Sequence, residues 1–190
     1  MFTKKRWSKM TMIPELKEQV EIPENVEVKL ENNMLTLKGE KGEISRVFLN
    51  PKISIKLNGK NVELQSKKVK RKDKALIGTW VAHIKNMRTG VTDGFEYKMK
   101  TVFSHFPIKT SVENDEFIIQ NFLGERAPRK AKILEGVTVD AKGEDVTVSG
   151  VDKEKVGQTV ANIERAAKVK KRDIRVFQDG VYRISKGGRQ

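Results

Sequence analysis

Several short segments in the first half of the chain alternate apolar and polar residues: "VEVKL", "MLTLKG", "ISRVFL", "ISIKL" and "VELQS". A period of two is that of a strand with one buried face. Turn-forming pairs, Asn32-Asn33 and Asn58-Gly59, separate some of these segments; both residue types accept the left-handed backbone of a tight hairpin. The period then changes. From about Asp73 to Met87, the residues Ile77, Trp80, Val81, Ile84 and Met87 recur at helical spacing. Asp73 is expected to cap this helix and Gly90 to stop it. A second helix is expected from about Asp152, its N-cap, to Ala167, with Val156, Val160, Ile163 and Ala167 on one side.

The pattern is written twice. "IGTWVAHI" (77–84) and "VGQTVANI" (156–163) place Gly, Val, Ala and Ile alike at an offset of 79. "NGKNVEL" (58–64) resembles "AKGEDVTV" (141–148), and "IPENVEV" (22–28) resembles "FPIKTSV" (106–112), each at an offset of 84. Three matches in the same order argue for duplication. Strands followed by one late helix give an α+β fold, with the helix covering one face of a mostly antiparallel sheet. The expected organisation is a basic N-terminal extension over 1–17, a first repeat over 18–92, a second over 93–167 and a basic segment over 168–190. The core of the second repeat should be nearly complete by Ala167, with Ile174, Phe177 and Val181 adding at most an edge strand.

Charge changes the picture. The 190 residues carry 39 Lys/Arg against 25 Asp/Glu, a formal net charge of +14. The excess is +10 over residues 1–92, −2 over 93–167 and +6 over 168–190. Such uneven positive charge points to a polyanion, since cations that neutralise nucleic-acid phosphates release condensed counterions. A membrane surface would call for a basic amphipathic helix with exposed bulky apolar residues, or a lipid anchor, and the sequence offers neither. The basic start, "MFTKKRWSKM", is followed by no apolar run, so no secretory signal is expected.

Candidate chemistry is sparse. With no cysteine and two histidines, no disulfide framework and no metal site of usual spacing is expected, and no cofactor. His83 falls inside the first helix, and His105 sits in "FSHFP", where a structural or RNA-stacking role suits it better than catalysis. No carboxylate pair stands in an apolar setting, and no phosphate-binding glycine loop is present. "GEKG" (39–42) matches the backbone clamp of one RNA-binding fold, but there it joins two helices; between strand patterns it predicts a hairpin turn. An enzyme is not expected.

The positive signals are basic. "KKVKRKDK" (67–74) precedes the first helix and brings Lys67, Lys68, Lys70 and Arg71 together, a secondary basic patch. In "FEYKMKTVFSH" (95–105), Phe95, Tyr97, Met99 and Thr101 share one strand face, and Lys98 and Lys100 the other. The closing segment holds eight Lys/Arg against two Asp. A tail of this composition has little core of its own and is expected to order on binding.

"HIKNMRTGVTDGFEYKMKTVFSHFPI" (83–108), "NFLGERAPRK" (121–130) and "RDIRVFQDGVYR" (172–183) resemble large-subunit ribosomal protein six in its archaeal and eukaryotic branch, whose eukaryotic members are often counted as number nine. The resemblance implies a duplicated α+β protein in cytoplasmic ribosomes. It implies binding to large-subunit rRNA near the sarcin–ricin loop and the stalk base, beside the surface that translational GTPases approach. The expected partners are that rRNA and ribosomal proteins at the stalk base, with no membrane and no homo-oligomer. By position, it makes Tyr97, Lys98, Lys100, Gly124, Arg126, Lys168, Lys170, Lys171, Arg172, Arg175 and Arg183 the expected RNA-facing set. A stand-alone RNA-binding protein is the alternative.

Overall fold

The computed structural model describes residues 13–187; most of the basic N-terminal extension lies outside the described residues. Thirteen strands and two helices are described, an α+β fold whose sheets are antiparallel wherever pairing is assigned. The first copy contains β1 (Ile13–Glu21), β2 (Glu27–Glu31), β3 (Met34–Gly39), β4 (Gly42–Val47), β5 (Ile53–Asn58), β6 (Asn61–Val69) and helix α1 (Arg71–Thr92). The second contains β7 (Phe95–Val102), β8 (Lys109–Glu113), β9 (Glu116–Gln120), β10 (Arg129–Lys132), β11 (Val137–Lys142), β12 (Asp145–Gly150) and helix α2 (Lys153–Ala166), followed by β13 (Gly180–Lys186).

The duplication is visible in strand order. One sheet runs β1-β6-β5 and another β11-β12-β7-β13, so the first strand of each copy pairs with the last, which pairs with the strand before it. The smaller sheets, β2-β3-β4 and β10-β9-β8, also correspond. Even the turns repeat. Asn32 and Asn33 (φ 47° and 63°) join β2 to β3, and Asn114 and Asp115 (φ 47° and 60°) join β8 to β9. Two successive left-handed residues match the twist of a two-residue hairpin, and Asn and Asp tolerate that backbone. Gly59 (φ 62°) and Gly143 (φ 63°) close the β5–β6 and β11–β12 hairpins, which correspond in the two copies.

The segment "GEKG" is the β3–β4 turn, as its strand context predicts. Strand β1 is an addition to the sequence reading. It begins at Ile13, within the expected extension, and pairs with β6 from Ile13↔Val69 to Glu21↔Asn61. Its charged residues hide it: Glu15, Lys17 and Glu21 line the sheet's exposed face, while Val20 on the other face is buried.

Two helix-boundary assignments need correction. Asp73 lies within the first turn of α1 and is not its N-cap. Lys70 holds that place: its carbonyl accepts from Lys74 N, while Asp73 Oδ2 accepts from Lys70 N at 3.0 Å. This is the reciprocal half of a capping box. Gly90 does not stop the helix, which continues to Thr92; the left-handed residue after it is Gly94 (φ 78°). Gly90 answers to packing, because a Cβ there would run into the Val151 carbonyl oxygen. Asp152 is the N-cap of α2, accepting from Glu154 N at 2.8 Å.

The chain divides into two compact units. Of the described residues, the first holds 13–24, 28–36 and 45–85; the second holds 25–27, 37–44 and 86–187. In the first unit, Leu35, Val62, Leu64, Ile77 and Ile84 are fully buried, and Phe48 meets Trp80 edge to face at 5.3 Å. Val81, on the expected apolar face, is only half-buried. In the second unit, α2 buries Val156, Val160 and Ile163 against a core that includes Tyr97, Met99, Phe117, Ile119, Val146 and Val148. Residues 37–44 and 86–92 pack within this second unit, where Lys41 N donates to Val91 O at 3.1 Å.

The closing segment is not a coreless tail. Strand β13 pairs along β7 from Gly180↔Val102 to Lys186↔Tyr97, and Val181 is 2% exposed. Asp179 is also buried, its Oδ1 accepting from Ser104 N at 3.2 Å. The apolar content that looked too low for a core needs to fill only one sheet edge, and Val169, Phe177 and Val181 do so.

Two outcomes follow from this packing. Ile84→Asp and Val160→Asp should each destabilise their own unit by several kcal/mol, the cost of burying an unpaired carboxylate; amide exchange in the altered helix should rise to the rate of global opening. Truncation after Gln178 removes β13 and Val181, whose burial alone is worth about 1.5–3 kcal/mol. The urea midpoint of that protein should fall well below that of a chain ending at Lys186.

Candidate nucleic-acid interface

The expected RNA-facing residues do not share one environment. Tyr97 is 5% exposed, with its ring in the core of the second unit. It leaves the RNA-facing set because a ring closed off by neighbouring side chains has no face for a base. Lys98 and Lys100 stand on the opposite, exposed face of β7. Their ammonium groups lie 3.6 Å from Glu96 and 3.9 Å from Glu144. Exposed pairs of this kind are worth about 0–1 kcal/mol and yield readily to a phosphate.

Gly124 and Arg126 belong to the loop between β9 and β10. Here Asn121, Leu123 and Gly124 all have left-handed backbone, with φ of 58°, 51° and 77°. For leucine this conformation costs about 1–2 kcal/mol. Burial of Phe122 and Leu123 holds it in place, and Asn121 Nδ2 donates to Pro107 O at 3.1 Å. The consequence is a loop whose apolar residues point inward and whose Gly124, Glu125 and Arg126 are exposed.

Arg129 connects that loop to the closing segment. Its Nε and Nη2 donate to the Glu125 carboxylate at 2.7 and 2.6 Å. Its Nη1 donates to Ala166 O at 2.9 Å, the last residue of α2, and to Lys168 O at 2.8 Å, just past the helix cap. The guanidinium lies 4.1 Å from the Phe122 ring centroid. One side chain therefore fixes the loop, the helix terminus and the start of the segment 168–175. The bond from Arg129 holds the Glu125 carboxyl below its ordinary value, and Arg172 and Lys170 add to the effect. A lowered carboxyl value means this stabilisation is present at neutral pH and is lost as pH falls through the lowered value.

Within 168–175, Lys168, Lys170, Lys171 and Arg172 are exposed, and none has a carboxylate at ion-pair distance among the described residues. The Arg172 guanidinium instead lies 4.8 Å from the Phe177 ring. Arg175 differs. It is paired with Asp173 at 2.9 Å, which lowers the aspartate and raises the arginine. Arg183 is exposed on β13, with its backbone N donating to Glu164 Oε1 at 3.3 Å. In the first unit, Lys67 and Lys68 lie near the end of β6, and exposed Lys70 and Arg71 lead into α1.

The sequence reading missed Arg129. It lies in a quoted motif, but its two backbone acceptors come from residues 37 and 39 positions later, a pairing that no local pattern announces. Among the described residues there is no cluster of three side chains suited to a metal, and no helix is long and apolar enough to cross a membrane.

The family model for ribosomal protein L6 matches twice, over residues 22–94 and 106–180, the two copies recognised from the repeat. A large ribosomal subunit protein uL6 from Methanobrevibacter smithii is 54% identical over 177 residues, covering 93% of this chain and 99% of that protein. A protein of the same name from Picrophilus torridus is 44% identical over 164 residues, covering 86% of this chain and 91% of that one. The chain belongs to the ribosomal protein L6 family, whose members are structural ribosomal proteins and not enzymes.

Proposed function

We propose that this chain is a constituent of the large ribosomal subunit in the cytoplasm. In this reading it binds large-subunit rRNA through the 121–130 loop and the 168–175 segment. The observation that carries the reading is the Arg129 junction, which ties the loop that bears Arg126 to the carbonyls of Ala166 and Lys168, where the run of Lys168, Lys170 and Arg172 begins. Cations held in this way meet a phosphate backbone without the cost of ordering two loops first, and phosphate contacts fix the register of the protein on RNA. The folded shape of the RNA then supplies specificity. The family resemblance further supports a location near the sarcin–ricin loop and the stalk base, with ribosomal proteins of that region as neighbours. At such a site the protein would brace the surface that translation factors approach. Retention on large subunits through a high-salt wash distinguishes this role from that of a stand-alone RNA-binding protein.

Reversal of Lys170, Lys171 and Arg172 to Glu should reduce rRNA affinity far more than reversal of Lys109, Lys132 and Lys155, since each reversal adds repulsion where phosphates lie. Competition with the unaltered chain for incorporation into large subunits is the direct measurement; equal incorporation of the folded variant would rule out this segment as an anchor. The secondary patch is tested separately. Alanine at Lys67, Lys68, Lys70 and Arg71 should lower the slope of log affinity against log salt by about 0.7–0.9 for each phosphate left without its cation. The Asp73 cap uses the Lys70 backbone, so α1 should stay folded; an unchanged slope would assign the patch to solvent.

A further inference from the structure

The segment 168–186 carries apolar side chains that no core uses. Ile174 is 67% exposed, Val176 71%, Ile184 64% and Tyr182 50%. Tyr182 is one of only two tyrosines in the chain, and the other, Tyr97, is buried. A cleft of about 390 Å³ opens beside two of these, Ile174 and Tyr182, and is lined also by Glu164, Lys168, Val169 and Phe177. The structure assigns this cleft a ligand: we propose that it receives an unpaired nucleobase of RNA, with Tyr182 as its stacking surface. This deepens the functional reading above and rests on it, because the base must belong to the RNA whose phosphates the neighbouring cations hold.

Tyr182 is built for that use. Its hydroxyl donates to Gln178 O at 3.0 Å, which pins the far edge of the ring. The ring lies over Gly180, where a Cβ would come within 2.9 Å of it. Glycine thus lets the ring settle against the backbone, leaving the side chain half-exposed but fixed. A fixed aromatic loses little freedom when a base stacks on it, and every base has a face to offer. Register on β7 puts Tyr182 opposite Lys100, on the sheet's exposed face. Lys168 stands at the cleft, and Lys170, Lys171 and Arg172 follow it in the chain. These cations suit the phosphates on either side of a nucleotide. The cleft itself does not suit a phosphate: its lining is largely apolar, and the Glu164 carboxylate would repel an anion while accepting from a base N–H. Apolar walls, one carboxylate and a fixed aromatic ring, approached through lysines, describe a site for a base lifted from its stack.

The test uses the full chain and two labelled RNA probes, a short single-stranded oligoadenylate and a fully paired duplex with the same number of phosphates. Tyr182→Leu keeps apolar bulk at this exposed position, and Tyr182→Phe keeps the ring; circular dichroism and thermal melting confirm that both fold. The expected result is a loss of at least about five-fold in oligoadenylate affinity for Tyr182→Leu, the lower end of what one stacked base contributes. Duplex affinity should be unchanged, and Tyr182→Phe should bind nearly as the parent does. Unchanged oligoadenylate affinity in Tyr182→Leu, an equal loss on both probes, or a Tyr182→Phe defect as large as that of Tyr182→Leu would each overturn the proposal. Intact RNA affinity with poor incorporation into large subunits would overturn it too, assigning the cleft to a protein neighbour. Reversal of Lys170, Lys171 and Arg172 serves as the internal control. If it weakens RNA binding while Tyr182→Leu does not, only the base site falls; if neither variant weakens binding to either probe, the RNA-facing reading of the segment falls with it.

Discussion

One guanidinium ties together three parts of the second unit: a strained loop, a helix terminus and the start of the closing segment. Arg129 donates four hydrogen bonds, two to a carboxylate in the loop before it and two to carbonyls at and just past the end of a helix. The end of a helix leaves carbonyls without intrahelical partners, and a cation is favoured there because the helix dipole is negative at that end. Arg129 satisfies that need and at the same time fixes the place from which the closing segment departs. Lysine would not substitute, since its point charge lacks the planar fork that spans Glu125 and two carbonyls together. Burial already holds the strained turn at Leu123; the junction adds a direct tie from that loop to the start of the run at Lys168.

The duplication shows which parts of the ancestral pattern chemistry holds in place. The two-residue hairpins keep left-handed residues at both positions, and the central strand pairings recur in the same order. The helix face has diverged more. Fully buried Thr159 stands where the first copy has Trp80, and its hydroxyl both donates to Lys155 O and accepts from Leu134 N. A buried hydroxyl is tolerable there because it is paired in both senses. Strand β13 has no counterpart among the described residues of the first copy, so the second unit alone extends its larger sheet beyond the strand that begins the repeat.

Much of this architecture was legible in the sequence because it is local. Period-two alternation located the strands from β2 to β6, and the alternation at Phe95–Thr101 already set Tyr97 on the face opposite Lys98 and Lys100. Its inclusion among RNA-facing residues came from motif matching alone, and burial overrules it. What was illegible depends on distant partners. Strand β1 reads as a charged extension until β6 is set beside it. Gly90 looks like a helix stop until the Val151 carbonyl is found against it. The closing segment looks like a tail because its buried residues, Val169, Asp179 and Val181, are spaced too widely to register as a period. Composition measures how much apolar surface a segment has; it does not reveal whether a sheet edge nearby needs only that much.

Strand β13 lies at the edge of its sheet, and an exposed edge is a template on which another chain can add a strand. A chain destined for assembly spends time alone after synthesis, when such an edge is most dangerous. The edge is made a poor template. A register shift between Arg183 and Ser185 interrupts its ladder, and Arg183 and Lys186 place positive charge along it. Two copies meeting edge to edge would bring those charges together at an irregular strand. The same cations suit a partner made of phosphate. Charge and irregularity thus both act against pairing of this edge with a second copy.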